Sequence, residues 1–306
     1  MRRDAQAYEL YGLHVTGIED SNLPPASGES RPRMDVRFTP VGAEAACVGG
    51  HRAVLDLPEG RQVLLKRGES SATFTGPPLS HDELIHPYLG EAASVFSRWA
   101  GREVFHAGAF VSDGLAWGVV GGRGSGKSSL LAELDRRGVA ILADDLVITD
   151  GFQAFRGPRV IDLRSRRPGT AERVTPARGA SRWRLALPPA RAAVPLGGWI
   201  YLSWRSEVAM PVVPLSIQLE RLATWRSWPT LQSDPETLLA LGALPGWDLR
   251  RPVDWEYADE TVDLMLETIV AQPRAHSRST VSRRPAWTQS SRKSTTSLEA
   301  ASEVIP

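Results

Sequence analysis

The 306 residues include a single cysteine, Cys47, which excludes an internal disulfide framework and fits a reducing cytoplasm. Cys47 is expected as a small buried apolar side chain rather than a nucleophile. Net charge is nearly absent: 36 Lys and Arg against 35 Asp and Glu give +1. That balance supplies no basic excess for a nucleic acid or an anionic membrane surface. No apolar run approaches the roughly 20 residues of a spanning helix. The most apolar stretch, residues 192–204 (AAVPLGGWIYLSW), is interrupted by Pro195, Gly197 and Gly198 and reads as a loop leading into a buried strand, GWIYLSW. The opening residues MRRDAQAYELYG carry two arginines with no apolar segment behind them, so a secretory signal is not expected. There is no internal repeat, no G-x-S-x-G nucleophile motif and no pair of His or Cys at helical metal-ligand spacing.

What is present divides into four regions. Residues 1–82 hold short extended pieces, YELYGLHVTG, MDVRFTPVG, HRAVLDLP, RQVLLKRG and SATFTG, separated by Gly, Pro, Asn and Ser. This pattern predicts a small β-rich N-terminal module, with a loop over 21–33. Over 83–101 the period changes. Leu89, Ala92, Ala93, Phe96 and Trp99 share one face of a connecting helix, and Gly101 follows as its C′ residue. Residues 102–271 alternate strands (VFHAGAFVSD, LAWGVVG, VAILADDLVIT, RVIDLRS, RWRLALP) with helices (KSSLLAELDRRG, TLLALGAL, ETVDLMLETIV), an α/β pattern. Residues 272–306 are rich in Ser, Thr and Arg and poor in apolar side chains; they read as a disordered tail, solvated or tethered to an acidic partner.

The decisive motif is GGRGSGKS at residues 121–128, which satisfies G-x-x-x-x-G-K-[ST]. Glycines allow the backbone to curl until several N–H groups face one anion, and the helix that starts near Lys127 adds its positive end. The phosphate-binding set is Gly121, Gly122, Arg123, Gly124, Ser125, Gly126, Lys127, Ser128 and Ser129. Lys127 is placed to contact the β- and γ-phosphates, and the Ser128 hydroxyl to bind Mg²⁺. The apolar run LAWGVVG feeds the loop, and Leu130, Leu131 and Leu134 follow at helical spacing.

Seventeen residues after Lys127, the next strand ends in Asp144-Asp145. In an open parallel sheet that strand end shares an edge with the P-loop. One carboxylate can hold Mg²⁺, with Ser128 and Asp144 as the metal-side pair, and the other can take the proton of an attacking hydroxyl. Successive strand residues face opposite ways, so either aspartate remains open as the base. Arg156, Arg159 and Arg164 follow and are candidates to neutralise phosphoryl charge or to lie on a surface loop. The tryptophans at 183, 199, 204, 225 and 228 read as packing.

The stretch FHAGAFVSDGLAWGVVGGRGSGKSSLLAELDRRGVAILADDLVI resembles the catalytic domain of the HPr kinase/phosphorylase family. That family begins a strand with His-Gly-Val, continues through a P-loop and reaches a Val-Ala-Asp-Asp strand. His106, 21 residues before Lys127, takes the histidine's position, and Asp144 and Asp145 take the acidic pair's. The resemblance implies the phosphoenolpyruvate-carboxykinase-like variant of the P-loop fold. It also implies phosphoryl transfer from ATP, with Mg²⁺, to a serine hydroxyl, one acid of the pair serving as base and His106 close to the phosphates. Two positions depart from the pattern. Ser129 replaces a glutamate after Gly-Lys-Ser, and Ala154, in AFRGPR, stands where a later Glu-Ile-Arg-Gly-Leu-Gly signature would begin. Metal binding is therefore expected to differ, and neither HPr as acceptor nor the reverse activity is implied.

The β-rich front module, the segment from Gly101-Arg102 to His106-Ala107, and the order RGPRVIDLR, RWRLALP, PLGGWIYLS are similar to divergent members that phosphorylate lasso-peptide precursors. The expected protein is a cytoplasmic ATP-dependent serine kinase for a peptide or small protein, with homo-oligomerisation left open. The rivals are a kinase for a small metabolite such as free serine, and a nucleotide-binding regulator or ATPase without an acceptor.

Overall fold

Period-two apolar residues in the first eighty positions build a seven-stranded sheet. The computed structural model describes residues 6–19, 23–26, 30–40, 42, 44–166, 171–174 and 182–271. The expected tail at 272–306 and parts of the loop expected over 21–33 lie outside the described residues. The sheet strands are β1 (Tyr8–Leu10), β2 (Leu13–Thr16), β3 (Arg33–Thr39), β4 (Cys47–Val48), β5 (Arg52–Leu57), β6 (Arg61–Lys66) and β7 (Ser71–Thr75), in the order β1-β2-β3-β7-β6-β5-β4. YELYGLHVTG, expected as one extended piece, is a hairpin. Tyr11 and Gly12 both take positive φ, +56° and +69°, the two-residue turn that matches strand twist. Cys47 corrects another expectation: it is exposed, because β4 is a two-residue strand at the sheet margin.

The connecting helix is interrupted. A single turn, α1 (His81–Glu83), is capped by Ser80 in a capping box with Glu83. A wide turn over Leu84–Tyr88 holds His86 in extended backbone, since the following Pro87 disfavours helical geometry at its predecessor. Helix α2 (Leu89–Trp99) then buries Leu89, Ala92, Ala93, Phe96 and Trp99 as expected. Gly101 at φ +77° ends it. The Arg102 and Gly101 amides donate to the Ser97 and Arg98 carbonyls, both at 3.0 Å, the Schellman pattern.

Among the described residues the second sheet has eight strands: β8 (Glu103–Phe105), β9 (Ala107–Ser112), β10 (Leu115–Val120), β11 (Ala140–Ala143), β12 (Val147–Thr149), β13 (Gln153–Phe155), β17 (Ala193–Trp204) and β18 (Gly246–Arg251). Helix α3 (Lys127–Arg136) connects β10 to β11. A small sheet of β14 (Val160–Leu163), β15 (Ala171–Val174) and β16 (Arg182–Ala186) intervenes before β17 (Ala193–Trp204). After β17 come α4 (Leu215–Trp225), α5 (Pro235–Gly242), β18 (Gly246–Arg251) and α6 (Ala258–Val270). The order is β11-β9-β10-β17-β13-β12-β8, with β18 also on β17. The stretch expected as a loop at 192–197 is strand from Ala193 onward. Ala193–Pro195 pairs antiparallel with β13, and from Leu196 the same strand runs parallel to β10.

Both faces of this sheet are covered. Leu130, Leu131 and Leu134 of α3 and Val262, Met265 and Ile269 of α6 pack on Phe110, Val119, Ile141 and Ile200. Leu222 of α4 and Leu241 of α5 pack on Val120, Trp199 and Tyr201 opposite. The protein is thus a mixed α/β chain with several sheets. Among the described residues no helix is long and apolar enough to cross a membrane.

Arg98 of α2 is ion-paired with Glu103 of β8, and both side chains are 1% exposed. Arg98 also donates to the Leu231 carbonyl at 2.7 Å and the Arg102 carbonyl at 3.0 Å, so one guanidinium fixes α2 to the second sheet. Glu103→Ala strands a buried charge and is expected to cost about 3–5 kcal/mol, read as a lowered urea midpoint.

Candidate functional site

Strand direction gathers the site. β9 runs antiparallel to both β10 and β11, with Ala107 opposite Val120 and Ala109 opposite Ala143. The start of β9 therefore shares one edge with the ends of β10 and β11. His106 precedes β9, Gly121 follows β10 and Asp144 follows β11. The expected purely parallel arrangement is corrected: the P-loop strand and the acidic strand are parallel to each other, but β9 lies between them. VFHAGAFVSD is accordingly two strands, broken at His106, and β8 pairs elsewhere with β12.

The loop over 121–126 turns through Gly124 (φ +85°) and Gly126 (φ +84°). Gly126 precedes the first turn of α3. A Cβ there would lie 2.6 Å from Arg251 Nη2 and 3.3 Å from the Trp204 ring, and the positive φ strains any other residue. The Lys127 ammonium is buried and donates to the carbonyls of Gly121 at 2.7 Å and Gly122 at 3.4 Å. Burial lowers its pKa, and the Asp144 and Asp145 carboxylates oppose that shift. Ser128 and Ser129 are half-buried on the first turn of α3, and Arg123 is exposed.

The two aspartates part company. Asp144 is buried and accepts a hydrogen bond from Ser128 Oγ at 3.2 Å. Asp145 takes φ +68°, and the Leu146 amide donates back to the Asp144 carbonyl at 2.9 Å. This γ-turn geometry costs about 1–3 kcal/mol for a non-glycine residue. It ends the strand, so VAILADDLVIT becomes β11 and β12, and it swings Asp145 to within 3.5 Å of His106 Nδ1. Burial pushes the Asp144 pKa up to about 6, with the neighbouring Asp145 charge adding to the rise. The nearby His86 imidazole and the Ser128 hydrogen bond oppose it.

Ser128 and Asp144 supply a hydroxyl and a carboxylate on one locus. That fits Mg²⁺, which takes its other ligands from phosphate oxygens and water. Among the described residues no group of three or more His, Cys, Asp or Glu could hold a metal unaided. Ala154 is buried in β13 opposite Val194 and offers no ligand. The three arginines divide. Arg156 and Arg159 are buried and bond backbone carbonyls, Arg156 that of Glu9 at 3.0 Å and Arg159 that of Ile141 at 2.9 Å. Arg164 is exposed, and its Nη1 lies 4.0 Å from the Cβ position of Gly124, over the P-loop.

Two contributors lacked a sequence signal. Tyr11, in the hairpin turn of the first sheet, is buried near the acids; burial first, then Asp145, Glu91 and Asp144, hold its pKa well above the usual phenol value. Its Tyr-Gly dipeptide announces a turn and nothing more. Arg251, at the end of β18, donates to the Ser125 carbonyl at 2.7 Å, and no motif marks it.

The raised Asp144 pKa has a defined sign. The folded chain holds the proton more tightly than the unfolded chain, whose value is 3.8. The stability this group contributes is full below that value and is lost as pH rises to about 6, on the order of 3 kcal/mol in all. Asp144→Asn is therefore expected to be more stable than the natural chain at about pH 8 without divalent cations. The difference should close by about pH 4, as followed by thermal melts across pH.

Comparison with protein-family models finds no match, and comparison with curated proteins finds none either. Among solved structures the chain is similar to the Hpr(Ser) kinase/phosphatase from Coxiella burnetii, at 12% identity and a TM-score of 0.27, over 55% of this chain and 93% of that one.

Proposed function

We propose that the chain is an ATP-dependent serine kinase acting on a peptide or small protein. The observation that carries this reading is the division of labour at one sheet edge: Ser128 Oγ lies 3.2 Å from Asp144, and His106 Nδ1 lies 3.5 Å from Asp145. The pair of His106 and Asp145 presents a carboxylate, a third exposed, to which an acceptor hydroxyl could be brought.

Bound MgATP would supply the phosphoryl group and the metal's charge. The chain's residues do the rest. Backbone amides of residues 121–126 and the Lys127 ammonium hold the phosphates. Ser128 and the Asp144 carboxylate would hold the metal. Arg164 lies over the loop where charge spreads on the transferred group. Asp145 accepts the proton of the attacking hydroxyl, and His106 steadies that carboxylate. The peptide acceptor is proposed on the similarity of this segment order to precursor kinases.

Incubation with ATP, Mg²⁺ and serine-containing peptides is expected to add one phosphoryl mass to the peptide, read by mass spectrometry. Asp145→Asn should lower transfer at least about a hundredfold while retaining ATP binding, whereas Lys127→Ala should lose both. Unimpaired transfer by Asp145→Asn would overturn the base assignment. Phosphorylation of free serine alone, or ATP hydrolysis with no acceptor, would replace the peptide reading by one of its rivals.

A further inference from the structure

We propose that Arg164, Arg166 and Arg182, on the small sheet of β14, β15 and β16, form a surface that docks an acidic stretch of the acceptor peptide beside the P-loop, an inference that rests on the peptide-kinase reading. Residues 164–184 hold seven arginines against one acid, Glu172, in a chain whose net charge is +1. One face of the sheet is fixed inward: Ile161, Leu163, Trp183 and Leu185 pack with Leu130, Leu131 and Leu134 of α3. Strand side chains alternate, so Asp162, Arg182 and Arg184 stand on the other face. The end of β14 reaches the loop, since Arg164 Nη1 lies 4.0 Å from the Cβ position of Gly124. The arginine surface therefore begins where an acceptor must approach the phosphates.

The acids near this face are already paired. Asp162 accepts from Arg184 Nε at 2.8 Å and Nη2 at 2.9 Å, and Asp82 lies 3.2 Å from Arg184 Nη1. Among the described residues no carboxylate is paired with Arg164, Arg166 or Arg182. Arg164 and Arg166 are exposed and Arg182 is half-buried. The Arg166 guanidinium lies over the Trp183 ring at 5.5 Å, which orients its charge without neutralising it. Leu163 pairs with Trp183, so Arg164 and Arg182, the next residue on each side, take neighbouring positions. Like charges so placed repel, and a carboxylate brought between them relieves the repulsion in the forked geometry guanidinium favours. An acidic acceptor is repelled by a bound triphosphate and needs fixed positive charge outside the loop. The chain's own segment 272–306 carries six Lys and Arg against two Glu, so the same surface repels it. A nucleic acid is disfavoured because the chain as a whole lacks the basic excess its backbone requires.

Fluorescence anisotropy of the full chain with labelled peptides of equal length reads docking without turnover, the serine being flanked by Asp and Glu in one peptide, by Ala in a second and by Lys in a third. The acidic peptide is expected to bind about tenfold tighter than the alanine peptide, and the gap should narrow as salt rises. Arg166→Glu combined with Arg182→Glu should abolish that preference with the melting temperature unchanged, whereas Arg166→Lys combined with Arg182→Lys should keep most of it. Equal affinity of the natural chain for the acidic and alanine peptides overturns the surface, as does a preference that survives charge reversal. Tighter binding of a single-stranded oligonucleotide than of the acidic peptide also overturns it. Phosphorylation of all three peptides without an acidic preference overturns the surface and keeps the kinase reading. An acidic preference with no phosphate transfer to any peptide overturns the kinase reading and keeps the surface.

Discussion

The ladder between β9 and β10 is the contact on which the site depends. Its antiparallel register, Ala107 opposite Val120, delivers His106 and the glycine-rich loop over 121–128 to the same edge. The second ladder, β9 to β11, brings the acids to that edge as well. A slip of one residue in either ladder would turn each side chain to the opposite face, and the 3.2 Å and 3.5 Å contacts of the two aspartates would both be lost. The helices serve this register. Leu131 of α3 lies so close to β9 that a Cβ at Gly108 would sit 2.4 Å from its Cδ1, which pins the P-loop helix against the central strand.

Several groups at this edge are held in states that oppose folding. Lys127 and Arg251 are desolvated, Asp144 resists ionisation and Asp145 occupies a strained backbone conformation. None of these strengthens the apo chain. Opposite charge brought into such a low-dielectric setting would act more strongly than in water.

Motifs with local chemistry were legible before the fold was known. The P-loop, the apolar face of α2 and the glycine ends of α2 and α3 follow from spacing along one element. The strand breaks at His106 and Asp145 were not, because an apolar β pattern continues through both, and only tertiary pairing shows that β8 and β12 belong elsewhere in the sheet. The role of Arg156 and Arg159 was missed for a related reason. Arginine following an acidic strand suggests phosphate contact, yet each guanidinium has five donors to satisfy, and buried carbonyls of β1 and β11 lie nearer. Trp204 and Arg251 come from strands far apart in sequence and meet only because β17 and β18 pair.

The first sheet is bound to the site by polar backbone contacts as well as by packing. The Tyr11 amide donates to the Arg156 carbonyl at 2.7 Å, Arg156 Nη2 to the Glu9 carbonyl at 3.0 Å and Arg102 Nη1 to the Gly12 carbonyl at 2.9 Å. Arg102 also stacks on Phe155 at 4.3 Å. Each guanidinium is buried, with its pKa lowered by desolvation, so each needs those carbonyls in place. The β1–β2 turn therefore acts as part of the wall behind Asp144 and Asp145. Tyr11 in that turn is buried, and burial together with the nearby carboxylate charges holds its phenol well above the usual pKa. The front sheet thus borders the acids even though it contributes no residue to the glycine-rich loop over 121–128.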